Sequence, residues 1–271
     1  MQAYGAQIRW IKDQCYEIIL PNDKHLVIDP GLSTAVQEDG TRPADVFDGV
    51  DYILLTHTHA ASAAAIGYLC EKFHPKLFLG AGVAAEVAKY FDLDYTLICP
   101  VSHGQKYKID ECEITGCQGR HAGSNLKRER LLHISDKLSE LPGYGELDVL
   151  GNVENLDYYI TLPNHLRIAF ISGEDFNADT YANAEKFQAN IVIRAAVRGW
   201  SKEHFAKAIY GYGGQIAFPS HHDVVFRRDQ QAIQEFITDT RNALADMGAY
   251  TTLVNPVSQK WYSLSMCVEE I

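Results

Sequence analysis

Tyr52-Ile53-Leu54-Leu55-Thr56-His57-Thr58-His59 is a short apolar run that ends in two histidines one residue apart. A strand sends alternate side chains to one face, so at its end His57 and His59 can turn toward a common point while Thr58 faces away. Neutral imidazole is the commonest protein ligand for zinc and suits iron and nickel. The pair is therefore part of a metal clamp, though an H-x-H pair alone fits two surface histidines equally well. The rest of the chain has to supply the context.

Upstream, Tyr16–Leu20, the turn Pro21-Asn22-Asp23-Lys24 and the run His25-Leu26-Val27-Ile28-Asp29-Pro30-Gly31 read as a hairpin, because Pro, Asn and Asp favour turns and the flanking branched residues favour strands. A second copy lies downstream: Tyr158–Leu162, Pro163-Asn164-His165, then Leu166–Glu174. Each unit is a strand, a Leu-Pro-Asn turn and a strand closing on a Gly with a carboxylate beside it. Such weak repetition predicts two sheet-bearing halves packed together. Ala-rich Ser62–Phe73 and Gly82–Phe91 read as helices, and Leu77–Leu79, Tyr95–Cys99, 106–109 and 112–117 as strands. Later come a strand at Asn190–Ile193, a helix capped by Ser201, a strand at Gln215–Pro219 and a helix from Asp229 to Met247 stopped by Gly248. The prediction is an α/β fold of the α+β type: a sandwich of two mixed sheets flanked by helices, forming one domain over 1–271. Residues 122–157, which contain Lys127-Arg128-Glu129-Arg130, break this rhythm and read as an insertion, either a lid or a solvated helix.

A chain of 271 residues can bury a sizeable core, and its net charge of −11 without a basic stripe argues against nucleic acid. No apolar run approaches the ~20 residues that span a bilayer, so no membrane partner is expected. The start, Met1-Gln2-Ala3-Tyr4-Gly5, shows no basic region followed by an apolar segment, which makes the cytoplasm the expected compartment. The six cysteines form no C-x-x-C pair and read as reduced fillers, with Cys117 singled out by its place four residues before His121.

In order along the chain, Val27-Ile28-Asp29-Pro30-Gly31, Leu54–His59, Gln118-Gly119-Arg120-His121, Ile171-Ser172-Gly173-Glu174 and Phe218-Pro219-Ser220-His221 resemble the motifs of the metallo-β-lactamase superfamily. The section Asn190–Asp223 is similar to its lactonase-like branch. The resemblance implies metal ligation by His57, His59, His121, Glu174 and His221, with Glu174 and His221 also catalytic. His222 competes with His221, and His222 or Asp223 would otherwise orient an imidazole. Asp29 would order the ligand loop. Arg194, Arg198 and Trp200 fall where a loop should border the cleft, and they are the substrate-binding candidates. The departures matter as much: Ala61 and Ser62 stand where the H-x-H-x-D-H signature has Asp and His, and Glu174 replaces the bridging Asp. Ala offers no donor and a neutral hydroxyl is a poor one.

These residues imply one divalent ion, zinc first with manganese or iron also suited, and a depleted second site. The function implied is a metal-dependent hydrolase of a small neutral or anionic ester, lactone, amide or phosphodiester, attacked through metal-bound hydroxide. Proton transfer falls to Glu174 now that the Asp is absent. The alternatives are a mononuclear non-haem iron oxygenase on the same fold and a non-catalytic binding protein. A homo-oligomer is compatible with the chain.

Overall fold

The computed structural model describes residues 5–121, 141–173 and 178–264. Its first sheet is built from β1 (Ala6–Lys12), β2 (Cys15–Ile19), β3 (His25–Ile28), β4 (Tyr52–Leu54), β5 (Lys76–Gly80) and β6 (Ile98–Val101), with β14 (Trp261–Leu264) beside β1. The second is built from β7 (Lys106–Ile109), β8 (Cys112–Gln118), β9 (Leu156–Thr161), β10 (Arg167–Ile171), β11 (Ile191–Ala195), β12 (Ile216–Ser220) and β13 (Thr252–Leu253).

Both sheets have seven strands and follow the same plan. Across the first, in the order β14-β1-β2-β3-β4-β5-β6, three antiparallel pairings are followed by three parallel ones. Across the second, in the order β7-β8-β9-β10-β11-β12-β13, the sequence of pairings is the same. The two Leu-Pro-Asn hairpins, β2–β3 and β9–β10, occupy the same place in this plan. The repetition visible in the sequence is thus a repetition of topology.

One core lies between the sheets, where Ile8, Tyr16, Ile18, Leu26 and Ile28 meet Ile160, Ile168, Phe170, Ile193 and Phe218. Outside the first sheet, Val27, Ile53, Leu77 and Leu79 pack on helical residues Ile66, Leu69 and Val87 and on Leu141, Tyr144 and Leu147. The outer face of the second sheet is covered by Phe205 and Ile209 of the helix Lys202–Gly211 and by Ile233 and Ile237 of the helix Gln230–Asp246. Ser201 caps the first of those helices, as its sequence predicts, and Asp229 caps the second.

The layers are also tied by hydrogen bonds. Tyr16 donates to the Pro219 carbonyl at 2.7 Å, and Tyr158 to the Leu55 carbonyl at 2.9 Å. Leaving such a buried group unpaired costs about 1–3 kcal/mol.

Three local readings differ. The expected helix Ser62–Phe73 is two pieces, Ala60–Ala63 and Ile66–Phe73, because the chain reorients at Ala64-Ala65, where the Ala65 N–H bonds to Pro30 instead of continuing the ladder. Tyr95–Leu97 is a 3-10 turn started by Asp94, and the strand begins only at Ile98. Strand β1 was not anticipated: the hairpin expected to start the fold is preceded by another, β1–β2, closed by Asp13 and Gln14. Of the expected insertion, 122–140 lie outside the described residues. Residues 141–155 include the helix Gly145–Leu150 and bury Tyr144 and Leu147 in the outer core.

Candidate metal centre

The parallel arrangement gathers the candidate residues, because β3, β4, β8, β10, β11 and β12 all run the same way toward one edge of the sandwich. The chain segments leaving those strands hold Asp29, His57 and His59, His121, Gly173 and His221. The β1–β2 turn returns to the same edge, since Tyr16 at the start of β2 pairs with Ile28 at the end of β3.

His57, His59 and His121 converge. One ring nitrogen from each lies within 4.8 Å of those of the other two, a grouping that could hold a metal ion. The ring centroids of His57 and His59 are 4.7 Å apart, those of His57 and His121 5.1 Å, and those of His59 and His121 4.3 Å. His57 is buried, and burial depresses its basicity well below the ordinary imidazole range, reinforced by the neighbouring His59, His121 and His221. A neutral ring is the form that ligates a metal.

The orientation of His57 follows from what stands behind it. Fully buried Asp29 accepts the Thr56 N–H at 2.8 Å and the Thr56 hydroxyl at 2.6 Å, and the same hydroxyl oxygen lies 2.8 Å from His57 Nδ1. A hydroxyl has one proton. Given to the Asp29 carboxylate, it leaves an oxygen lone pair for the His57 Nδ1–H, and Nε2 becomes the ligating atom. Burial pushes the Asp29 carboxyl up to about 8, against the hydrogen bonds from Thr56. A cation at the histidines would favour its charged form.

Thr58 faces away from the trio, as the alternation predicts, and anchors the next layer. Its hydroxyl donates to the Leu147 carbonyl at 2.5 Å, and its own carbonyl accepts the Tyr144 hydroxyl at 2.6 Å. This brings Gly151 against His59, so closely that a Cβ at 151 would lie 2.7 Å from His59 Cδ2. Only a residue without a side chain fits there.

His221, expected among the ligands, is not in the trio. It sits in a left-handed conformation (φ 58°) at the end of β12, and its Nδ1 is hydrogen-bonded to Asp13, while its main-chain N–H donates to the Asp13 carbonyl at 2.8 Å. Asp223 accepts the Asp13 N–H at 3.3 Å, so it acts on the imidazole at one remove. His222 is buried under Trp10 with ring centroids 4.6 Å apart, and burial pushes it down to about 4.

Arg194 is a correction. It is the penultimate residue of β11, not part of an exposed loop, and it is fully buried. Its Nη1 donates to the Gly173 carbonyl at 2.5 Å and its guanidinium lies 4.8 Å from the Trp200 ring, so it braces the corner after β10. Trp200 is half-buried and stacked on His204, and Arg198 is exposed. Glu174 lies outside the described residues. Cys117 is a core thiol that burial pushes up to about 11. Ala61 and Ser62 bring no nitrogen or carboxylate to this edge, and Ser62 is fully buried.

Sequence reasoning missed Asp13 and the role of Thr56. The signal for Asp13 was present: Ile8 and Trp10 alternate with polar residues and lead into Asp13-Gln14, turn chemistry before the next strand.

No protein-family model matches the chain. A metal-dependent hydrolase from Thermodesulfovibrio yellowstonii is 30% identical over 89 residues, 32% of this chain and 33% of that protein, so the match spans about a third of the relative's length. Igni18, a metallo hydrolase from Ignicoccus hospitalis, superposes with a TM-score of 0.68 at 12% identity over 97% of this chain and 100% of its own. YhfI from Bacillus subtilis, a metallo-beta-lactamase fold protein, gives 0.60 at 11% identity over 96% and 99%. At these identities the likeness is one of architecture. Two seven-stranded mixed sheets on one plan, flanked by helices and carrying a three-histidine cluster at one edge, have the metallo-β-lactamase fold.

Proposed function

We propose that this chain is a metal-dependent hydrolase of a small ester, lactone, amide or phosphodiester, holding one divalent cation on His57, His59 and His121. The carrying observation is the convergence of three imidazole nitrogens within 4.8 Å of one another from segments some sixty residues apart. Three nitrogen donors with a further position left open suit zinc, and manganese or iron can take the same donors. A bound divalent ion supplies Lewis acidity and a water acidic enough to attack near neutral pH.

The chain's own residues set up that chemistry. Thr56 and Asp29 fix the His57 ring, and Gly151 walls His59. Exposed Arg198 is the proposed contact for a negatively charged group on the substrate. Glu174 is proposed as a further donor or proton acceptor on the strength of the motif order. The names of the hydrolases it is similar to support the reading without specifying a substrate.

The test is elemental analysis of the purified protein together with hydrolysis of 4-nitrophenyl acetate, bis(4-nitrophenyl) phosphate and a γ-lactone. One zinc or manganese per chain and turnover abolished by chelator support the proposal. Iron with oxygen consumption would replace it with an oxygenase, and absence of bound metal after growth in supplemented medium would leave a binding protein.

A further inference from the structure

The pairing of Asp13 with His221 joins positions 208 residues apart and has no counterpart in the motifs that pointed to the site. Asp13 is 3% exposed, although it occupies a hairpin turn, a place where carboxylates are usually solvated. Three hydrogen bonds and a turn conformation hold it. Its backbone is left-handed (φ 57°), its N–H is taken by Asp223 at 3.3 Å, and its carbonyl accepts both the His221 N–H at 2.8 Å and the Trp10 indole N–H at 3.0 Å. The β1–β2 turn and the segment Ser220–Asp223 are therefore one polar unit. A carboxylate only accepts, so the Nδ1 facing it carries a proton, and in the neutral ring Nε2 of His221 bears the lone pair. His221 follows β12, which runs parallel to β10 and β11 toward the edge that carries the trio.

We propose that Asp13 is a positioning residue that holds His221 as the proton carrier of the reaction. The inference rests on the metal-hydrolase reading above. As the attacking water's oxygen bonds to the carbonyl carbon or phosphorus, its proton passes to His221 Nε2. As the bond to the leaving oxygen or nitrogen breaks, that proton passes to the leaving atom. No electrons change hands and no co-reactant is needed. Asp13 stays ionised throughout and stabilises the imidazolium formed between the two transfers.

The experiment compares wild type with Asp13→Asn and His59→Ala. Asn tolerates the left-handed turn, so the fold is kept while the carboxylate is lost. With 4-nitrophenyl acetate, Asp13→Asn is expected to lower kcat about 100-fold, within the range for proton-transfer catalysis, with KM and metal content within twofold of wild type. In the metal-free protein, long-range 15N correlation spectra of the His221 ring should show Nδ1–H in wild type and a shift toward Nε2–H in Asp13→Asn. That readout is independent of turnover and would not move if Asp13 merely stabilised the turn. A kcat within threefold of wild type, an unchanged tautomer, or loss of metal along with activity would each overturn the proposal. If His59→Ala keeps full activity, the hydrolase reading fails instead, and the two failures are distinguishable.

Discussion

The two sides of this edge differ in what lies behind their polar groups. On one side His57, His59 and His121 are backed by Asp29, Thr56 and the Gly151 wall, and they present ring nitrogens to one point. On the other, Ala61 and Ser62 contribute no ligand, and the histidine that remains, His221, is turned to Asp13. The contrast teaches that an edge can be held firmly without donors: Ser62 is fully buried, and the Asp13 carbonyl takes the His221 N–H just after β12.

The sharpest way to break the comparison is to damage the histidine side. His59→Ala should lower metal affinity by more than 100-fold and abolish turnover, while the melting temperature of the metal-free protein stays within a few degrees. Titration of the metal-free protein with zinc checks the first part and calorimetry the second. A variant that still binds one ion as tightly would place the cation elsewhere.

Acid should undo the other side. His222 is held neutral by burial, about 4 against an ordinary 6.5, so its contribution is complete above pH 6.5 and is lost as pH falls toward 4. Full loss is worth about 3 kcal/mol from a shift of that size. Urea unfolding of the chelated protein at pH 7 and pH 4.5 should show this fall. His222→Phe, which keeps the ring against Trp10, should reduce it and leave the part that buried His57 contributes; an unchanged pH dependence would assign the whole loss to other groups.

Thr56→Val keeps shape but removes the hydroxyl between Asp29 and His57. Supporting groups of this kind are worth 10–100-fold in metal affinity, and the lower value, about tenfold, is expected because His59 and His121 keep their settings. Zinc competition with a chromogenic chelator measures it.

The smallest change in stoichiometry is expected from restoring the absent donors. Ala61→Asp with Ser62→His should leave one ion per chain and cost about 1 kcal/mol or more in stability, since position 62 is fully buried and overpacking is destabilising. Two ions per chain at unchanged stability would show that only the donors were missing.

Much of the fold was legible from local chemistry. The Leu-Pro-Asn turns announced the two hairpins, and they occupy equivalent places in equivalent sheets. The trio was legible because strand alternation fixes which way His57 and His59 turn. What escaped depends on distant pairing. Arg194 reads as an exposed arginine, and only the parallel register of β11 with β10 brings it under the Gly173 carbonyl. Asp13 reads as a turn residue, and its bond to His221 requires the two sheets to be stacked first. Ser62–Phe73 reads as one helix because its composition is uniform, whereas its break is imposed by Pro30 of another segment.

Just beneath the histidines, the Leu156 N–H bonds to the Thr56 carbonyl at 2.8 Å, a main-chain stitch from one sheet to the other. Donors contributed from both layers therefore share a single mechanical reference. Any slippage of layer against layer would shear the coordination geometry before it disturbed the interior, making cation affinity a sensitive gauge of alignment across the whole sandwich.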